Sequence, residues 1–144
     1  MKLTNFEIIN IFNTLDSYAT KKLPQKISYA ITKNIMLLRG DYECYDKELK
    51  KLFEIYDDKM IKDEKGNIKY NQYQIPLIQK EYSEDFDKDL TELLNIKIEI
   101  DLYTVDDSVF DYDDSDKYDC LSPLEIIRLQ EIICKHEEEN KETD

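Results

Sequence analysis

PQKISYAITKNIMLLRGDYECYDKELKKLFEIYD, residues 24–57, decides the fold. Ile27, Ala30, Ile31, Ile35, Leu38, Tyr42, Tyr45, Leu49, Leu52, Phe53 and Tyr56 recur at spacings of three and four. That period gathers them on one face of an α-helix and leaves the charged residues on the other. It predicts one long amphipathic helix near 24–57, with Pro24 well placed in the first turn. Gly40 costs about 1 kcal/mol against Ala in a helix interior. A break at Arg39-Gly40-Asp41, giving two stacked helices, is therefore the alternative. Asn34 is a polar group on the apolar stripe, expected as a satisfied core amide that fixes register.

Upstream, Thr4-Asn5-Phe6-Glu7 has the S/T-x-x-E form of a capping box, and Leu3 and Ile8 occupy the positions of a hydrophobic staple. A helix over about 4–18 follows. Downstream, Lys59–Lys62 and Ile68–Gln74 flank Asp63-Glu64-Lys65-Gly66-Asn67, which reads as a β-hairpin with a short bulged loop. Pro76 excludes a central strand there. Ser83 is a candidate cap for a helix over 84–94, with Phe86, Leu90, Leu93 and Leu94 inward. Ile96–Leu102 alternates apolar and charged residues and reads as a half-buried strand. Ser122 and Glu125 repeat the capping box, Pro123 takes the first helical position, and Leu121 and Ile126 repeat the staple. The last helix is expected over 123–136, ending in a frayed acidic tail at 137–144. The fold class is α+β, predominantly helical: a long amphipathic helix packed with shorter helices and a small antiparallel sheet or hairpin. Residues 1–144 form a single domain, with no internal repeat in the sequence.

Composition narrows the function classes. The chain has no apolar run approaching the roughly 20 residues that span a bilayer. Its first residues lack the apolar core of a secretory signal, so a cytoplasmic location is expected. Cys44, Cys120 and Cys134 show no metal-binding spacing and are expected as incidental thiols, Cys44 and Cys134 within helical packing. Charge is distributed unevenly. Residues 101–144 carry 15 Asp/Glu against 4 Lys/Arg, whereas residues 1–100 carry 18 against 16. The chain is rich in Ile and Lys, with 18 of each against 2 Arg, the bias that an AT-rich coding sequence produces.

Several soft motifs occur in a distinctive order. Leu3-Thr4-Asn5-Phe6-Glu7-Ile8 is followed by the Leu-Pro-x-Lys-x-Ser-Tyr-Ala-Ile-x-Lys-Asn run of Leu23–Asn34. The Asp-Glu-x-Gly turn at Asp63–Gly66, the Leu-x-x-Leu-Leu-Asn-x-x-Ile-x-Ile segment of Leu90–Ile100 and the Leu-Ser-Pro-x-Glu start at Leu121 complete the order. The arrangement resembles a family of small phage and prophage proteins from low-GC Gram-positive bacteria, known as a domain of unknown function. The resemblance covers most of the chain and implies a phage origin. It supplies no activity, because its motifs are caps and core positions. The stretch Asp106–Asp119 is where a departure from such relatives is expected.

Catalytic chemistry finds little to work with. The single histidine, His136, stands among Lys135 and Glu137–Glu139 without a nucleophile beside it. Two glycines cannot build a phosphate-cradling loop. Asp111–Asp116 offers alternating oxygen ligands, but an EF-hand loop starting at Asp111 would need Gly where Asp116 stands and Glu where Ser122 stands. No catalytic residue, cofactor or metal ligand is expected.

The acidic segment over 103–119 is different. Aromatic residues accompany its carboxylates, whereas purely solvating acidic tracts are poor in aromatics. The candidate protein-binding residues are Asp106, Asp107, Phe110, Asp111, Tyr112, Asp113, Asp114, Asp116, Tyr118 and Asp119. Their carboxylates would meet Arg and Lys of a partner as a phosphate backbone does, with the rings as anchors. A solvated loop is the bland alternative. The expected function is a non-enzymatic, phage-encoded inhibitor acting in the infected host cell. It would bind a protein with a basic surface, such as a host defence nuclease or other nucleic-acid-binding protein. It would not itself bind nucleic acid or membrane. The alternative is a structural or assembly accessory protein of the phage virion or tail.

Overall fold

Thr4 opens the first helix through the reciprocal cap that its sequence encodes. In the computed structural model, which describes residues 1–112 and 117–135, the Glu7 N–H donates to Thr4 Oγ1 at 3.1 Å and the Thr4 N–H donates to Glu7 Oε1 at 2.9 Å. Helix α1 spans Asn5–Ser17, and both staple residues, Leu3 and Ile8, are buried. Helix α2 spans Gln25–Ile55 without a break at Gly40. Its apolar stripe buries Leu38 on one side of the glycine and Leu52 on the other, and that packing outweighs the propensity cost of about 1 kcal/mol.

Strand β1 (Lys2–Thr4) pairs antiparallel with β2 (Lys97–Glu99), Leu3 opposite Ile98. The strand expected over 96–102 is thus cut to three residues, because its ladder partner among the described residues is the short N-terminal segment. The alternation holds from residue 97 onward: Ile98 and Leu102 pack against the core and Ile100 is buried, while Lys97, Glu99 and Asp101 are exposed; Ile96, expected on the buried face, is exposed. Helix α4 spans Pro123–Ile133, with Ser122 and Glu125 forming the expected box. It stops short of 136 because Cys134 adopts extended backbone and pairs in parallel with Val105. His136 and the tail at 137–144 lie outside the described residues.

Helix α3 spans Lys80–Leu94, starting four residues before the expected position. Ser83 is inside it, its hydroxyl donating back to the Lys80 carbonyl at 3.1 Å, and does not cap it. A tertiary bond sets the start instead: the Gln79 N–H donates to the Lys59 carbonyl at 2.9 Å. Residues 60–78 are not a simple hairpin. They form a three-sided unit in which Met60 pairs with Ile78, Lys62 with Ile68, and Tyr70 with Pro76. A ring of backbone bonds closes its centre: Ile61 N–H to Leu77 O, Leu77 N–H to Lys69 O, and Lys69 N–H to Ile61 O, at 2.8, 2.8 and 3.0 Å. Two corners share one design. Asp63 Oδ1 accepts from the N–H groups of Lys65 and Asn67, and Asn71 Oδ1 accepts from those of Tyr73 and Ile75. Gly66 and Gln74 hold the left-handed position, at φ 84° and 64°. A structural repeat is therefore present where the sequence showed none.

Two cores result. The larger joins α1, the N-terminal half of α2, α4 and the segment after β2. The smaller gathers Leu52, Tyr56, Phe86 and Leu90 between the C-terminal end of α2 and α3.

Candidate protein-binding surface

Asn34 positions the entry to the acidic segment. Its side chain is fully buried, Nδ2 donates to the Tyr103 carbonyl at 2.9 Å, and Oδ1 accepts from the Tyr103 N–H at 2.7 Å. Both polar groups of one residue are thus satisfied by a single amide, as a neighbouring strand would satisfy them. Tyr29 packs edge-on against the Tyr103 ring, 5.3 Å between centroids. Two residues on, the Val105 N–H donates to the Ile133 carbonyl at 2.7 Å and the Lys135 N–H donates to Val105 O at 3.3 Å, tying the segment to the end of α4.

Asp106 then caps a 3-10 turn at Asp107–Phe110. Its Oδ2 accepts from the Ser108 hydroxyl at 2.6 Å and from the Ser108 N–H at 3.2 Å. Those bonds hold the carboxyl below its ordinary value, with Lys135 and Lys26 adding a smaller attraction. Asp107 is exposed and bonded to the Cys134 thiol. Burial first, and this bond second, push that thiol up to about 12, so it is an inert neutral group at neutral pH. Cys44, expected in packing, is exposed on α2.

Phe110 corrects the sequence reading. Its ring is 9% exposed and belongs to the larger core, so it anchors the segment to its own protein and is not presented to a partner. Asp111 is exposed, and its N–H closes the turn onto the Ser108 carbonyl at 3.0 Å. Tyr112 and Tyr118 meet edge to face, 5.7 Å between centroids, with Lys117 Nζ 5.3 Å from the Tyr118 ring. Both rings are half-buried. Asp113, Asp114 and Asp116 lie outside the described residues. Asp119 secures the exit: its Oδ2 accepts from the Lys22 N–H and its own N–H donates to the Lys22 carbonyl, each at 2.7 Å.

The structure therefore brings Asp106, Asp107, Asp111, Tyr112, Tyr118 and Asp119 onto one segment fixed at both ends. Asp106 and Asp119 hold its backbone; Asp107 and Asp111 carry exposed carboxylates. Among the described residues, none of these four is in an ion pair with Lys or Arg. Lys22 is a positioning residue that the sequence did not single out, since the Asp119 carboxylate and N–H that it meets lie 97 positions along the chain. An open groove of about 730 Å³ lies between Leu3, Ile11, Leu102, Ile132 and Cys134 and is mainly apolar. No group of three or more His, Cys, Asp or Glu among the described residues could hold a metal ion. No helix among them is long and apolar enough to cross a membrane. No known protein family, curated protein or solved structure matches the chain.

Proposed function

We propose that this protein acts by binding rather than by chemistry, presenting the acidic segment to a protein with a basic, nucleic-acid-handling surface. A host nuclease or defence factor, occluded by a phage-encoded inhibitor, is the partner class that this reading favours. One observation carries it: the segment is bonded at both ends, through Asn34 and Lys22, while the carboxylates of Asp107 and Asp111 stay exposed and, among the described residues, outside any ion pair. A segment bonded at both ends has less conformational entropy to lose on docking than a free acidic tail. Affinity capture from host extract at low and moderate salt tests the proposal. A partner retained at low salt, and lost when Asp111, Asp113, Asp114 and Asp116 become Asn, supports it. A partner retained equally by that variant removes electrostatic occlusion. Asp106 and Asp119 are left intact because they hold the backbone.

A role in virion assembly is the second reading, favoured by the exposed Tyr29, Met36 and Leu37 on α2. Recovery in purified particles would support it, and absence from them would remove it.

A further inference from the structure

Gly40 stands in the interior of α2 at a cost of about 1 kcal/mol relative to Ala. Nothing among the described residues requires it: a Cβ at this position would meet no atom of theirs within 4 Å, and the backbone is not left-handed. One turn earlier Met36 is 67% exposed. At about 100° per residue, Tyr29, Lys33, Met36, Gly40, Glu43 and Lys47 fall on one stripe opposite the buried face of the helix. All six are exposed. Their spacing alternates between four and three, the seam of a two-helix coil. Among the described residues Lys33, Glu43 and Lys47 have no ion-pair partner, although Glu43 and Lys47 stand one turn apart.

The stripe is self-complementary under a two-fold axis. With two copies antiparallel and crossing midway between Met36 and Gly40, each Met36 falls against the other copy's Gly40. Each Lys33 then faces a Glu43, and each Tyr29 a Lys47. We infer that the protein pairs with a second copy of itself through this face of α2, antiparallel and in this register. The missing side chain at Gly40 gives the thioether a place against the opposing backbone. Two symmetric Lys33–Glu43 pairs fix the register and disfavour the parallel arrangement, which would set Lys33 against Lys33. The local charge permits this approach, since residues 17–40 hold five Lys or Arg and no Asp or Glu. The pairing does not rest on the occlusion reading, because it uses none of the carboxylates of the acidic segment.

Sedimentation equilibrium of the full chain tests it, over about 1 µM to 1 mM, the range in which interfaces at the small end dissociate. The mass is expected to rise from monomer to dimer with concentration. Gly40→Leu is expected to keep or raise the melting temperature, as a better helix former, while weakening the dimer at least about tenfold. Lys33→Glu is expected to weaken it as well, and Lys33→Glu with Glu43→Lys to restore it. A wild type that stays monomeric throughout overturns the inference. So does a dimer indifferent to Gly40→Leu, or a Lys33→Glu defect that the reciprocal change does not repair.

Discussion

Asn34 shows how much one residue contributes to the placement of the acidic segment. Its two bonds to Tyr103 cross 69 positions of sequence. Replacing it with Leu, of similar volume, leaves the Tyr103 N–H and carbonyl facing an apolar group. The expected loss is about 3 kcal/mol of unfolding free energy, within the range for two stranded, partly buried groups. Urea denaturation measures it, and a loss too small to resolve would show that those groups find other partners. The polar residue on an apolar stripe was legible in the sequence. Its partner was not, since a backbone amide far along the chain leaves no compositional mark. The same holds for Phe110: acidic neighbours made it look presented, yet the turn capped by Asp106 aims it inward. The thiols give a second check at this scale. Cys44 and Cys120 are exposed, while Cys134 is buried with its thiol pushed up to about 12. Thiol titration of the native protein at neutral pH is expected to find two fast groups, with the third reacting only in denaturant.

At the scale of elements, α1 and α4 were readable because their start signals are local. A Ser or Thr and a Glu three positions on satisfy backbone groups within one turn. The start of α3 and the three-sided unit were not readable, because long-range backbone bonds among Lys59, Ile61, Lys69, Leu77 and Gln79 define them. What the sequence does show, eight positions apart, is Asp63 and Asn71. These corners yield a pH prediction. The N–H groups of Asn67 and Lys65, with the charge of Lys69, hold the Asp63 carboxyl below its ordinary value of 3.8. A lowered carboxyl contributes stability that is present above its unfolded value and is lost as pH falls through the lower folded one. Asn at this position would keep both acceptor bonds, as Asn71 does in the sister corner. Asp63→Asn is therefore expected to melt near the wild type at pH 7 and to lose less of its melting temperature between pH 5 and 3. Equal acid sensitivity in the two proteins would count against the role given to this carboxylate.

At the scale of the whole molecule, α2 is a beam about 45 Å long, by its rise of about 1.5 Å per residue, with unequal packing along it. Among the described residues the larger core holds 18 buried ones, from both ends of the chain. The smaller holds four, one helix away, and the three-sided unit adds mostly exposed side chains to it. Local opening is governed by the apolar area that it exposes, so the two regions should not open together. Hydrogen exchange followed by mass spectrometry is expected to show amides of α3 and residues 60–78 exchanging at lower free energy than those of α1 and the first half of α2. Phe86, 2% exposed and packed on Phe53 and Tyr56, is the lever that separates them. Phe86→Ala should remove about 3–5 kcal/mol from the smaller core, enough to open it on its own. Protection around Asn34, Tyr103 and Val105 should then persist while that of α3 collapses. Simultaneous loss in both regions would show that α2 transmits the damage along its length and couples the two cores into one cooperative unit.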